Sequence, residues 1–274
     1  MLRLCRCEFR KLRRLRLLPF LCLAAVLFPA FGTLMAAQGN ITPQEVYGNT
    51  IGMLVAFGLP FLLPVVVGLL ATRLFYLETE CDTLKQLRTV PVRIGALTAA
   101  KLLVLTWFVF FVTFLAAGSC VLAGAALCGG YVETALPIWR TALLDGILQA
   151  AAALPLVWLV VLLRRSHLFS LLAALLYSVV NGFLSLNVLM QMSALPPPLS
   201  TRPFWQQLVF WTPGGLITRC LFAAESGADG SYRFAPWQLA VVLMAIAGLF
   251  GLLTARAYAR WERQGIKGGS FASG

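Results

Sequence analysis

A chain with one histidine has few routes to a catalytic centre. That residue, His167, follows Arg164 and Arg165 at the end of an apolar run. A zinc site of the HExxH kind needs two histidines one helical turn apart, so it is excluded, and a dry Ser-His pair is disfavoured beside two arginines. His167 therefore reads as a solvated loop residue. The segment Gly265 to Ser270, GIKGGS, has the glycines and lysine of a phosphate loop in the wrong order, so the backbone cradle of GxxxxGK[ST] cannot form and ATP is not held here by that route. The seven cysteines (Cys5, Cys7, Cys22, Cys81, Cys120, Cys128, Cys220) include no CxxC pair and mostly lie in or beside apolar runs, as small core residues do. No cofactor or metal site is expected in this chain.

The strongly polar residues inside apolar runs are Asp145, Gln149, Asn181 and Asn187. Asp145 is expected near the outer end of its run, within reach of water, and so marks no ion pathway by itself. Asn181 is expected to hydrogen-bond to a neighbouring helix. No polar cluster at one depth and no ion-coupling network is visible. Pro60 and Pro64, with Gly52, Gly58 and Gly68, should make their run kinked and closely approachable. From Tyr76 the chain reads YLETECDTLKQLRTVPVRIGALTAAKLL, with Glu78, Glu80 and Asp82 ahead of Lys85, Arg88 and Arg93. Acid before base suits the dipole of a short helix, which Pro91 should end by Val90. Such a helix, rigid and charged, suits docking on a soluble partner, and it equally suits a solvated loop.

The elements that position these residues are membrane spans. Hydrophobic content of 60%, charged content of 12% and a mean hydropathy of +0.85 do not describe a soluble surface. A bilayer core takes about 20 apolar residues in a helix. Windows of that kind fall at 17–37, 51–71, 102–127, 168–190 and 237–255. A sixth, 146–163, is comfortable only if it borrows from Thr141 to Asp145. The expected fold is all-α, a polytopic membrane protein of about six spans, with a basic helix at 1–16, a cytoplasmic loop at 72–101 and an outer loop at 191–236.

Charge sets the orientation. The net charge of +12 would suggest nucleic acid in a soluble protein, but here the cations gather at helix ends, as the positive-inside rule requires, and no nucleic acid is implied. Of 22 Lys and Arg, 18 fall before the first span, at 73–101, at Arg164 and Arg165, or after the last span. Only Arg140, Arg202, Arg219 and Arg233 fall on the other side, so both termini are expected in the cytoplasm. The apolar run at 17–37 is too long for a signal peptide and ends in a poor cleavage site, so it is read as retained.

Two flanking segments have their own character. Leu2, Cys5, Phe9 and Leu12 share one helical face while Arg3, Arg6, Arg10 and Arg13 fall beside it, the pattern of a helix lying in the membrane interface. The outer loop opens with Pro196-Pro197-Pro198, expected as extended polyproline. It continues into Phe204 to Trp211 and Leu216 to Ala224, expected as a pair of short interfacial or re-entrant segments with Trp205 and Trp211 at headgroup level.

The run Glu80, Thr83, Lys85, Leu87, Pro91-Val92, Arg93 and Lys101 resembles the segment between the second and third spans of ABC-2 type transporter permeases. Asp82 stands where that family usually has Gly, and Arg93 follows Val92 without a spacer. The resemblance extends to the six-span layout, the basic first helix and the long outer loop; among the family's branches it is closest in length and spacing to permeases of lantibiotic-protection exporters. It implies that Glu78, Glu80, Lys85, Leu87, Pro91, Arg93 and Lys101 belong to a coupling segment that seats on a cytoplasmic ABC ATPase. It further implies that ATP and Mg are bound by that partner, that the permease pairs with itself or a sister chain, and that it works in a bacterial plasma membrane. Few charges in the spans point to an amphipathic or hydrophobic cargo, such as an antimicrobial peptide. Two other classes stay open: a membrane assembly or sensory protein, which needs only helices and a docking surface, and an intramembrane enzyme, which needs a polar cluster.

Overall fold

The computed structural model describes residues 2–13, 17–37, 52–80, 94–128, 135–163, 167–193, 201–222 and 235–269. The described residues are 96% helical and include no strand, an all-α polytopic architecture. In order the helices are α1 (Leu2–Arg13), α2 (Leu17–Ala37), a π-helical turn (Leu54–Gly58) running into α3 (Leu59–Glu80), α4 (Ile94–Cys128), α5 (Ala135–Ala152), α6 (Leu154–Leu162), α7 (His167–Ser193), α8 (Phe204–Phe210), α9 (Pro213–Phe222) and α10 (Pro236–Gly269). Among the described residues, five stretches are long and apolar enough to cross a bilayer: Leu54–Tyr76, Gly95–Ala123, Trp139–Leu162, Leu168–Met192 and Pro236–Arg260. α2 coincides with the expected first span and contributes a shorter apolar stretch, Pro19–Gly32.

Span ends extend beyond the apolar windows, because a drop in hydropathy does not end a helix. α3 runs to Glu80 and α4 starts at Ile94, so the connection expected at 72–101 shrinks to 81–93. Glu78 and Glu80 thus lie on the last turn of α3, not at the front of a separate helix. Asp82, Thr83, Lys85, Leu87, Arg88, Pro91, Val92 and Arg93 lie outside the described residues, as does the Pro196 to Pro198 run.

The fourth span is longer than its charge-free window, and it is kinked. Pro155 has no N–H for the carbonyl one turn back, and the N–H of Leu156 tightens onto the Ala153 carbonyl at 3.1 Å. The Ala152 carbonyl, relieved of its helical donor, accepts the Tyr177 hydroxyl at 2.6 Å. α5 and α6 therefore act as one bent span pinned to α7.

α3 is the central helix. Its span is 67% buried in the bundle, against 17% for α10 at the periphery. Leu59, Leu63, Val66, Val67 and Leu70 are all buried, and Gly68 meets α7 so closely that a Cβ there would run into Ala174. In lipid this contact is driven by close packing rather than by escape from water, which is why small residues face each other. The expected kink is present as the π turn, where the Leu59 N–H reaches back to the Leu54 carbonyl. Pro60, just beyond it, cannot donate and would crowd the carbonyl four residues earlier, and the widened turn relieves that crowding.

Candidate functional site

At the end of the bundle expected in the cytoplasm, three consecutive residues of α3 tie five helices together. Leu74 gives its carbonyl to Lys101 Nζ at 2.6 Å, which fixes α3 to α4. Phe75 lies under the same ammonium, 5.1 Å from its ring centroid, and Tyr258 of α10 receives it at 5.8 Å. Tyr76 donates its hydroxyl to the Leu163 carbonyl at the end of α6 (2.6 Å) and accepts from Ser170 on α7 (2.8 Å). The Leu163 carbonyl is one of those a helix leaves unbonded at its C-terminus, so the contact satisfies a group that would otherwise be costly to bury.

Lys101 also reaches α1. Glu8 Oε2 stands 3.6 Å from its nitrogen, with side chains 2% and 0% exposed, and Glu8 Oε1 takes Lys11 at 2.6 Å. α1 is an amphipathic helix as expected: Leu12 and Glu8 are buried, Leu4 and Cys5 pack on the core, and Arg6 and Arg10 are exposed. Its Phe9 meets Trp107 of α4 edge-on at 5.1 Å. Of the coupling residues implied by resemblance, Lys101 is fully buried and contacts the chain's own helices. The side chains of Glu78 and Glu80, together with Lys85, Leu87, Pro91 and Arg93, lie outside the described ones. Glu8, Tyr76, Ser170 and Tyr258 were not singled out from sequence. Glu8 carried a usable signal as the one acid among the cations of 1–16.

The opposite end of the bundle holds a polar group that sequence reading did not assemble. Asn181 donates to the Pro60 carbonyl at 3.2 Å and lies 3.5 Å from Gln149 Oε1, and Gln149 in turn lies 3.4 Å from Asp145 Oδ1. Ser178 donates to the Phe61 carbonyl. The expected role of Asn181 is thus observed, with a specific reason: Pro64 has no N–H, so the Pro60 carbonyl lacks its helical donor. Two expectations are corrected. Asp145 is 1% exposed rather than near water, because α5 continues outward to Ala135 and is packed on by α4 and α9. A polar cluster at one depth does exist, although it contains a single ionisable group.

The helix pair that follows α7 reaches this cluster. α8 and α9 are the expected pair of short helices, with Trp205 and Trp211 exposed and Gly214 to Arg219 buried. Thr212 caps α9 by accepting the Gly215 N–H at 3.2 Å, and Pro213 follows at the first helical position, where its missing donor costs nothing. A Cβ at Gly214 would run into Ser185 Oγ and Asn181 Oδ1, so α9 begins directly on the cluster. Arg219 is buried and stacks over Trp211 at 5.6 Å.

Among the described residues no three His, Cys, Asp or Glu side chains approach closely enough to share a metal ion. Ser185 has no hydrogen-bonding base. The two sites are a junction of helices at one end of the bundle and a buried polar cluster. Residues 4–181, from α1 into α7, match the description ABC-2 family transporter protein. No curated protein matches the chain.

Proposed function

The chain belongs to the ABC-2 transporter family, as a membrane permease subunit, and from that premise we propose that it is the spanning half of an exporter worked by a separate cytoplasmic ATPase. ATP and its Mg are held by that partner. The observation that carries the reading is the junction at Leu74, Phe75 and Tyr76. These residues bind α4, α6, α7 and α10, and α1 through Lys101, within a few residues of the point where α3 leaves for the 81–93 connection. Closure of two ATPase subunits would press on that connection through Glu78, Glu80, Lys85, Leu87 and Arg93. A push on α3 cannot be absorbed locally, because buried ionic and hydrogen-bonded contacts pass it to the other spans. The N-terminal helix moves with them through Glu8.

The permease pairs with a second copy or a sister chain in a bacterial plasma membrane. The face of α7 opposite Ser178 and Asn181 exposes Leu172, Leu176, Val179 and Phe183, which supports burial against lipid or another permease. The cargo is amphipathic or hydrophobic, a lantibiotic or similar antimicrobial peptide. The scarcity of charge along the spans and the resemblance to lantibiotic-protection permeases support that class. The test is reconstitution with an ABC ATPase from the same organism. ATP-dependent movement of such a peptide across the bilayer is the expected result, and ATP hydrolysis indifferent to the permease would refute the reading.

A further inference from the structure

One cation at the end of the bundle opposite Tyr76 is not taken up by the chain itself. Four cations are expected on that side, against the general charge bias, so each calls for a local reason. Arg202 donates to Gln191 and stacks on Phe210, and Arg219 lies over Trp211. Arg233 lies outside the described residues. Arg140 is exposed and pairs with no carboxylate among the described residues. Asp145 shares its helix but is buried on another side, about 140° around α5 at 3.6 residues per turn.

Arg140 stands at the head of an apolar groove between α4 and α5. Leu143, Leu144 and Ile147 follow it at the spacing that puts them on one face of α5, and Phe110 of α4 lines the groove with them. The groove has a volume of about 840 Å³, and below Thr141 its lining carries no polar side chain. Phe110, Leu144 and Ile147 are each more than a third exposed, at 38%, 47% and 46%, so the groove is open on the lipid side. The two helices are locked together beside it. Gly146 approaches Thr113 so closely that a Cβ would overlap it, and Trp139 packs on Phe114 with ring centroids 4.5 Å apart. Trp139 and Arg140 open the span, and Ile147 lies about 10 Å further along the helix, against about 15 Å for the apolar half of a bilayer. The guanidinium is therefore at headgroup level and the apolar lining at acyl-chain level.

A guanidinium matches a phosphate with two parallel N–H···O bonds, and basic sites between spans suit anionic headgroups. A zwitterionic lipid brings its own ammonium to the phosphate and gains less from Arg140. We propose that Arg140 and the groove lined by Phe110, Leu143, Leu144 and Ile147 form a binding site for an anionic phospholipid, with the phosphate on Arg140 and the upper part of one acyl chain in the groove. The site stands whether or not the chain is an exporter.

The test is photolabelling of the full-length chain in phosphatidylcholine nanodiscs. The probes are phosphatidylglycerol and phosphatidylcholine carrying the same diazirine in one acyl chain, at equal low mole fraction, with the adducts mapped by peptide mass spectrometry. Phosphatidylglycerol is expected to label residues 140–147 and the neighbourhood of Phe110 about tenfold more than phosphatidylcholine does, and to be displaced by unlabelled phosphatidylglycerol. Arg140→Gln should bring its labelling down about tenfold, to the phosphatidylcholine level, as loss of one charged contact does. Arg140→Lys should keep an intermediate preference, since the charge remains and the two-pronged geometry is lost. Equal labelling by the two lipids, or a preference that survives Arg140→Gln, overturns the proposal by making the groove an ordinary lipid-facing surface. Absence of adducts from either lipid overturns it as well, because a second permease or another occupant then covers the groove. Should Arg140→Gln fail to fold, Ile147→Trp carries the test: it fills the groove below an intact Arg140, and an unchanged preference at Phe110 overturns the site.

Discussion

Asn181 donates its amide to the carbonyl of Pro60, the acceptor that Pro64 leaves without a helical donor. The side chain on α7 thus repairs the backbone of α3, and the two helices are specified together. Asn181→Leu should cost about 1–2 kcal/mol, since the buried carbonyl is left bare. Pro64→Ala restores the missing N–H. In that background the cost of Asn181→Leu should fall by about 1 kcal/mol, read by reversible unfolding in mixed micelles. An unchanged cost would show that the amide serves Gln149 rather than Pro60.

Lys101 and Glu8 form a buried pair, and Lys11 holds the other Glu8 oxygen. Lys101→Met leaves Glu8 with Lys11 alone and the buried Leu74 carbonyl without its donor, so it should destabilise the chain by about 1–3 kcal/mol. Glu8→Gln should cost less, because Leu74 and two aromatic rings still hold the ammonium. A double-mutant cycle in detergent should show coupling between the two positions. Additive losses would mean that α1 docks through its apolar face alone.

Gly68→Ala reverses an ordinary expectation. In a helix interior alanine is favoured over glycine by about 0.5–1 kcal/mol. At Gly68 the added methyl would meet Ala174, so a net loss of about 1–3 kcal/mol is expected. Gly95→Ala on α4 is the control, since a Cβ there meets nothing within 4 Å, and it should be neutral or stabilising by the same unfolding assay.

Reporter fusions check the orientation. Fusions after Tyr131 and Gly227 should report outside, and fusions after Arg88, Arg165 and Gly274 inside, from the 18 to 4 distribution of Lys and Arg. A reversal confined to the region after Leu163 would mean that the kinked α5–α6 span does not cross.

What could be read from sequence was what hydropathy and local periodicity encode. The helices at 17–37 and 168–190 appear nearly as expected, and the face of α1 carrying Cys5 and Leu12 was visible in its spacing. A charge-free window begins the fourth span too late because it stops at Asp145, whereas that residue is inside the bundle. The polar cluster was invisible for a related reason. Gln149 and Asn181 are far apart in sequence, and their contact follows from the antiparallel register of α5 and α7, which no local pattern gives. Lys101 was marked by its motif, but its partners Glu8, Leu74 and Tyr258 come from three other helices.

The central claim is that the 81–93 connection, entered from the junction at Leu74 to Tyr76, docks on an ATPase. Co-purification of a partner ABC ATPase with wild-type and Glu80→Ala/Arg93→Ala permease tests it most directly, alongside hydrolysis in lipid. Each charged contact contributes about 1.5–3 kcal/mol, so the double variant should bind about a hundredfold more weakly or worse while inserting normally. Unchanged recovery of the ATPase with unchanged transport-linked hydrolysis would contradict the account, and would leave the connection a solvated turn between α3 and α4.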